Sequence, residues 1–189
     1  MLDEKEVAEY LNLDSVIRTI PTDFDATELL GKIFIVTGTG KYFKNVTNDP
    51  ENRVVMHSHP TNTLAMYYVH ELDEKKFTHT LWEMCTECIV VFPDGIGVLP
   101  WMLCGTIEIG EATAEMMKEF RLVVWGMHGI YGVGKTMDEA FGLIETVEKA
   151  AQIYMLTAHL PRVNTIKDTE LQELAEAFGV DYRKDFLNI

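Results

Sequence analysis

The segment RVVMHSHPTNTLAMYYVHEL (residues 53–72) decides how the chain is to be read. Its first eight residues are mostly apolar or β-branched and close at Pro60, which predicts a strand over 53–60. Thr61 or Asn62 then stands where a helix N-cap is expected, ahead of an apolar run. Within the strand, His57 and His59 are two positions apart. Alternation puts both imidazoles on one face, near enough to share an ion. The same H-x-H pattern also arises as a surface pair, or as two hydrogen-bonded histidines at a strand end.

His128 is the candidate third donor. It sits in RLVVWGMHGIYGV (121–133), an apolar stretch that predicts a long strand whose glycines mark a bend or bulge. Three neutral imidazoles with one position left open is the layout of a catalytic zinc site rather than a closed structural one. His70 near a helix end, His79 among polar residues and His159 ahead of Pro161 read as ordinary histidines.

Outward from these segments, KIFIVTGTG (32–40) predicts a strand ending in a glycine turn, and the acidic stretch 3–19 a peripheral helix or arm. FTHTLWEMC (77–85) is ambiguous between helix and loop. CIVVFPDG (88–95) and GVLPWM (97–102) predict strands around a Pro-Asp-Gly turn. IGEATAEMMKEF (109–120) predicts a helix. Thr136 and Glu139 form a capping box for another, with apolar residues at helical spacing from Ala140 to Tyr154. TELQELAEAFGV (169–180) predicts a shorter helix ending at Gly179. With no repeat or linker, residues 1–189 read as one domain mixing strands and helices.

Composition narrows the function. The chain has 189 residues, 47% hydrophobic and 24% charged, as in an ordinary globular protein. No apolar run approaches the roughly 18 residues that span a bilayer, and the opening MLDEKEVAEYLNLD lacks a signal-peptide pattern, so a cytoplasmic location is expected. The net charge of -14 repels a phosphate backbone, which argues against nucleic acid but leaves a small anionic substrate open. Three cysteines, Cys85, Cys88 and Cys104, are too few and too odd in number for a disulfide scaffold.

Two motifs compete for attention. GIYGVGKT (129–136) matches the phosphate-loop pattern letter for letter and would bind nucleotide through Lys135. Such a fold needs parallel strands downstream, and only helices are predicted there, which favours a strand-to-helix connection whose glycines serve geometry. CTEC (85–88) could mark a redox pair or half a zinc site, but without a second C-x-x-C it reads as two small buried residues.

FIVTGTGKYFKNV, RVVMHSHPTNTLAM, LWEMCTECIVVFPDGIGVLPWM and MHGIYG followed by DEAFGLIETVEKAAQ together resemble the class II aldolase/adducin family, in the family's order from about residue 30 onward. The resemblance implies an α/β fold with a mostly antiparallel central sheet flanked by helices, assembled as a cyclic homotetramer. It implies Zn2+ held by His57, His59 and His128, and substrate phosphate held by the turn Gly38, Thr39, Gly40. Glu87 matches an acidic residue projected into the neighbouring subunit's active site. The implied reaction is the cleavage of a sugar phosphate, L-rhamnulose 1-phosphate, to dihydroxyacetone phosphate and L-lactaldehyde, with zinc as Lewis acid.

Two parts of the family pattern lie outside the match. One is the opening helix and its G-N segment. The other is a block of several tens of residues between the glycine turn and the H-x-H strand, which carries the family's catalytic glutamate. Here Val46-Thr47-Asn48-Asp49-Pro50 runs almost directly into Glu51 and Arg53. Glu51, Glu83 and Glu87 are the substitute carboxylates to consider. The expectation is zinc binding with weakened turnover, since losing a general base costs about 10²–10⁴ in rate. A catalytically silent, oligomerising member is the alternative.

Overall fold

The computed structural model describes residues 52 and 54–189. The helix and strand expected at 3–19 and 32–40, and Gly38, Thr39, Gly40 and Glu51, lie outside the described residues.

Strand β1 (Val54–Ser58) leads into helix α1 (Thr61–Val69), followed by α2 (Glu74–Trp82) and the short α3 (Glu87–Val91). Strand β2 (Gly97–Leu99) precedes α4 (Ile107–Met116). Strands β3 (Leu122–Trp125) and β4 (Gly129–Gly134) form a hairpin, and α5 (Met137–Thr157) and α6 (Asp168–Phe178) complete the set. The described strands make one sheet of order β1-β4-β3-β2, antiparallel except between β2 and β3. The mostly antiparallel sheet flanked by helices is the expected architecture.

The sheet's inner face and the helices share one core, with Trp82, Phe77, Phe92, Met66 and Leu143 among its buried side chains. Helix α5 is the main buttress. Its positions Ala140, Leu143, Ile144, Val147, Ala150 and Ala151 are buried at helical spacing, while Phe141 points outward, 59% exposed. Each large apolar side chain buried this way contributes about 1.5–3 kcal/mol.

Three elements differ from the expectation. The run 121–133 is not one bent strand but a hairpin, because Met127 adopts φ 58 and reverses the chain between Gly126 and Gly129. The β-branched run after Cys88 is helical, not extended. Its tertiary setting overrides propensity: the Val91 carbonyl accepts from Arg121 Nη2 at 3.0 Å, and the Asp94 carboxylate takes both the Arg121 N–H and its guanidinium. The Pro93-Asp94-Gly95 turn is present, with Gly95 at φ 83. Helix α1 is capped neither by Thr61 nor by Asn62. Its N-cap position is Pro60, and the Glu148 carboxylate of α5 accepts the Asn62 and Thr63 N–H groups at 3.0 and 2.9 Å, along with both their side chains. A carboxylate there also suits the positive end of the helix.

The ambiguous stretch 77–85 is largely helical, in α2. Thr136 caps α5 as expected, its Oγ1 accepting the Glu139 N–H at 3.1 Å. The Glu139 side chain reaches one residue further out than a capping box requires and accepts the Lys135 N–H at 2.7 Å. Gly179, at φ 64, terminates α6.

Candidate metal centre

The centre forms where β1 and β4 run side by side. His57 is opposite Tyr131 in the antiparallel register, and Ser58 is opposite Ile130, so His59 leaves the strand beside Gly129. His128 ends the β3–β4 turn, its N–H donating to the Trp125 carbonyl at 3.1 Å. Two residues of one strand end and one turn residue some seventy positions away therefore meet at one corner of the sheet.

The three Nε2 atoms converge. His57 Nε2 is 3.0 Å from His59 Nε2 and 3.3 Å from His128 Nε2. Tetrahedral ligands at about 2.0–2.1 Å from a zinc ion sit roughly 3.3 Å from one another, so the spacing is that of a coordination sphere. His57 Nδ1 donates to the Ile130 carbonyl at 3.0 Å, which leaves the Nε2 lone pair for a cation. Burial, with repulsion from His128 and His59, pushes the His57 pKa down to about 4, so the ring is neutral at pH 7. Burial also lowers that of His128. Ring nitrogens that face one another this closely repel wherever they present bare lone pairs, and one divalent ion satisfies them together.

Space around the rings is fitted to them. A Cβ on Gly129 would stand 2.4 Å from the Ser58 carbonyl oxygen and 2.8 Å from both His57 Cε1 and His59 Cδ2. Only glycine lets the strands approach closely enough to bring the rings together. Tyr131 stacks on His57 with centroids 4.2 Å apart, and Trp125 packs on Tyr131 at 4.3 Å, tied down by its Nε1–H to Thr113 Oγ1 at 2.8 Å. The donor set and the cradle fit a metal ion.

Among the described residues, the group of ligand atoms within 4.8 Å of one another consists of these three histidines, and no carboxylate joins it. Glu87 lies on α3, its carboxylate accepting the Cys85 thiol proton at 2.8 Å. That hydrogen bond holds the Glu87 pKa below its usual value. Cys88 is buried, as the small-residue reading expects, but Cys85 is only partly buried, its thiol reaching the Glu87 carboxylate at the surface. In GIYGVGKT, residues 129–134 form β4, paired with strands on both sides, and the Lys135 N–H that would face a phosphate is taken by Glu139. The glycines serve the sheet and the histidines. Cys104 is the one contributor with no signal in the sequence: its sulfur lies 2.7 Å from His128 Nδ1.

Residues 27–155, about two thirds of the chain, match the class II aldolase and adducin N-terminal domain. The chain belongs to that family. Within it, the chain is 48% identical to rhamnulose-1-phosphate aldolase of Listeria monocytogenes serotype 4b, covering all of this chain and 86% of that relative. It is likewise 48% identical to rhamnulose-1-phosphate aldolase of Enterococcus faecalis, over 99% of this chain and 84% of that one. The first alignment runs over 236 positions against 189 residues here, so at least 47 positions have no counterpart in this chain. A sugar-phosphate aldolase crystal structure from Thermotoga maritima superposes with a TM-score of 0.55 at 31% identity, across 61% of this chain and 49% of that one. The family's metal dependence and the histidine cluster agree.

Proposed function

We propose that this family member is an aldehyde-lyase that uses Zn2+ to cleave L-rhamnulose 1-phosphate into dihydroxyacetone phosphate and L-lactaldehyde. The observation that carries the reading is the meeting of three Nε2 atoms in a chain nearly half identical to rhamnulose-1-phosphate aldolases. When bound, the ion supplies Lewis-acid polarisation of the sugar's carbonyl and hydroxyl oxygens. The residues do the remainder. His57, His59 and His128 hold the ion with an open side. Gly38, Thr39 and Gly40 are the residues assigned to the substrate phosphate. Cleavage of the C3–C4 bond takes the proton from the C4 hydroxyl and returns one to C3, which requires a carboxylate.

Glu87 fills that role from a neighbouring subunit of a homotetramer. Its own chain gives it a thiol hydrogen bond that keeps it ionised, and its carboxylate is not among the ligand atoms clustered at its own triad. Trp101, Leu103 and Met127, each more than half exposed on the turns flanking the triad, suit an intersubunit contact. No described helix is long and apolar enough to cross a membrane, in keeping with a cytoplasmic enzyme.

The alignment positions without counterpart favour a second reading, a zinc-binding, oligomerising member with little turnover. If they coincide with the block that carries the family's catalytic glutamate, Glu87 acts without it. Metal analysis of the purified protein, followed by an aldol-cleavage assay with and without Zn2+, decides both points. Bound zinc with turnover supports the first reading, bound zinc without turnover the second. A protein that retains no zinc defeats both.

A further inference from the structure

Because β2 and β3 run parallel, the chain leaving β2 at Leu99 and the chain leaving β3 at Trp125 emerge at the same end of the sheet. The two exits are fastened together. The Gly126 N–H donates to the Leu99 carbonyl at 3.0 Å. A Cβ on Gly126 would stand 2.7 Å from the Trp101 nitrogen and 2.3 Å from the Tyr67 hydroxyl, and that hydroxyl accepts the Trp101 N–H. The first loop is then turned back on itself, with Gly105 at φ 77 and Thr106 Oγ1 donating to the Leu103 carbonyl at 2.9 Å. The outcome is Cys104 Sγ beside the ring of His128, 2.7 Å from Nδ1.

An imidazole that binds a metal through Nε2 carries its proton on Nδ1, and an acceptor for that proton fixes the tautomer and the ring plane. His57 has the Ile130 carbonyl for this purpose. We propose that Cys104 is the equivalent positioning residue for His128, its sulfur accepting the Nδ1 proton and holding Nε2 toward the ion. The sulfur lies on the Nδ1 side of the ring, away from the Nε2 that faces His57, so it serves the ring and is not a fourth ligand. This inference rests on the metal-centre reading.

Purified full-length Cys104→Ala, Cys104→Val and Cys104→Ser proteins test it by zinc affinity, measured in competition with a chelator. Alanine and valine remove the acceptor and weaken binding roughly ten- to hundredfold, the usual loss for a partner of a metal ligand. Serine keeps an acceptor within reach and restores affinity to within about threefold of wild type. Because Cys104 is exposed, the metal-free melting temperatures of all four proteins coincide. Valine, close to cysteine in size, keeps the test meaningful should alanine disturb the loop. The Co2+-loaded wild type shows no thiolate-to-cobalt charge-transfer band. Equal affinity of wild type, alanine and valine proteins overturns the positioning role alone, as does such a band lost on Cys104→Ser. Wild-type protein that binds no zinc overturns the metal centre and this inference together.

Discussion

Gly129→Ala perturbs the centre without touching a donor atom. The added methyl would stand 2.4 Å from the Ser58 carbonyl oxygen and 2.8 Å from carbons of both His57 and His59, where ordinary contact begins at 3.4 Å. Each ring must retreat by about 0.6 Å, beyond the roughly 0.2 Å that metal–ligand distances tolerate. The carbonyl is backbone within the β1–β4 pairing and cannot retreat without opening the ladder. Overpacking of this kind costs about 1–3 kcal/mol, or some 2–12 °C in melting temperature for a chain of this size. Zinc affinity falls at least about tenfold, in the range seen when metal ligands lose their support. Gly142→Ala is the matched control. It adds the same methyl in the middle of α5, meets nothing within 4 Å, and stabilises by about 0.5–1 kcal/mol. Calorimetric unfolding of the metal-free proteins and zinc titration read both effects. Gly129→Ala protein that melts with wild type and binds zinc equally well would refute the packing argument.

Other outcomes follow from the same contacts. Glu148→Gln puts an amide NH2 against N–H donors and destabilises by about 2–3 kcal/mol at pH 7. Burial raises the Glu148 pKa, but the Asn62 and Thr63 hydrogen bonds outweigh it and hold the net value below 4.5. Its contribution is therefore full above pH 4.5 and lost as pH falls through the folded value, so melting curves of wild type and mutant converge in acid. Arg121→Lys cannot reproduce the fork that spans Asp94, Glu139 and the Val91 carbonyl, and urea unfolding should show a loss of about 2–3 kcal/mol. ATP with Mg2+ leaves the melting temperature unchanged, since Glu139 occupies the N–H that a phosphate loop would offer; a clear rise would revive the nucleotide reading.

The sequence carried the centre further than it carried the chain path. His57 and His59 were legible because a strand's two-residue period is local. His128 was legible because glycines on a β-branched run announce irregular backbone. That the run folds into a hairpin was not, since the reversal depends on Met127 taking a left-handed conformation that its side chain disfavours. The helix after Cys88 was hidden for a related reason: its residues prefer strands, and the contacts that overrule them come from Arg121, thirty residues on. The cap of α1 lies on α5, and the partner of His128 sits on a loop brought close only by the parallel pairing of β2 and β3. Neither has a spacing rule to reveal it.

X-ray absorption spectroscopy on the zinc-loaded protein reads the donor set itself. Imidazole nitrogens are expected at about 2.0–2.1 Å, including three from protein, and no sulfur near 2.3 Å, with the imidazole signal lost in His57→Ala. Sulfur in the first shell, or an unchanged spectrum in His57→Ala, would contradict the three-histidine centre.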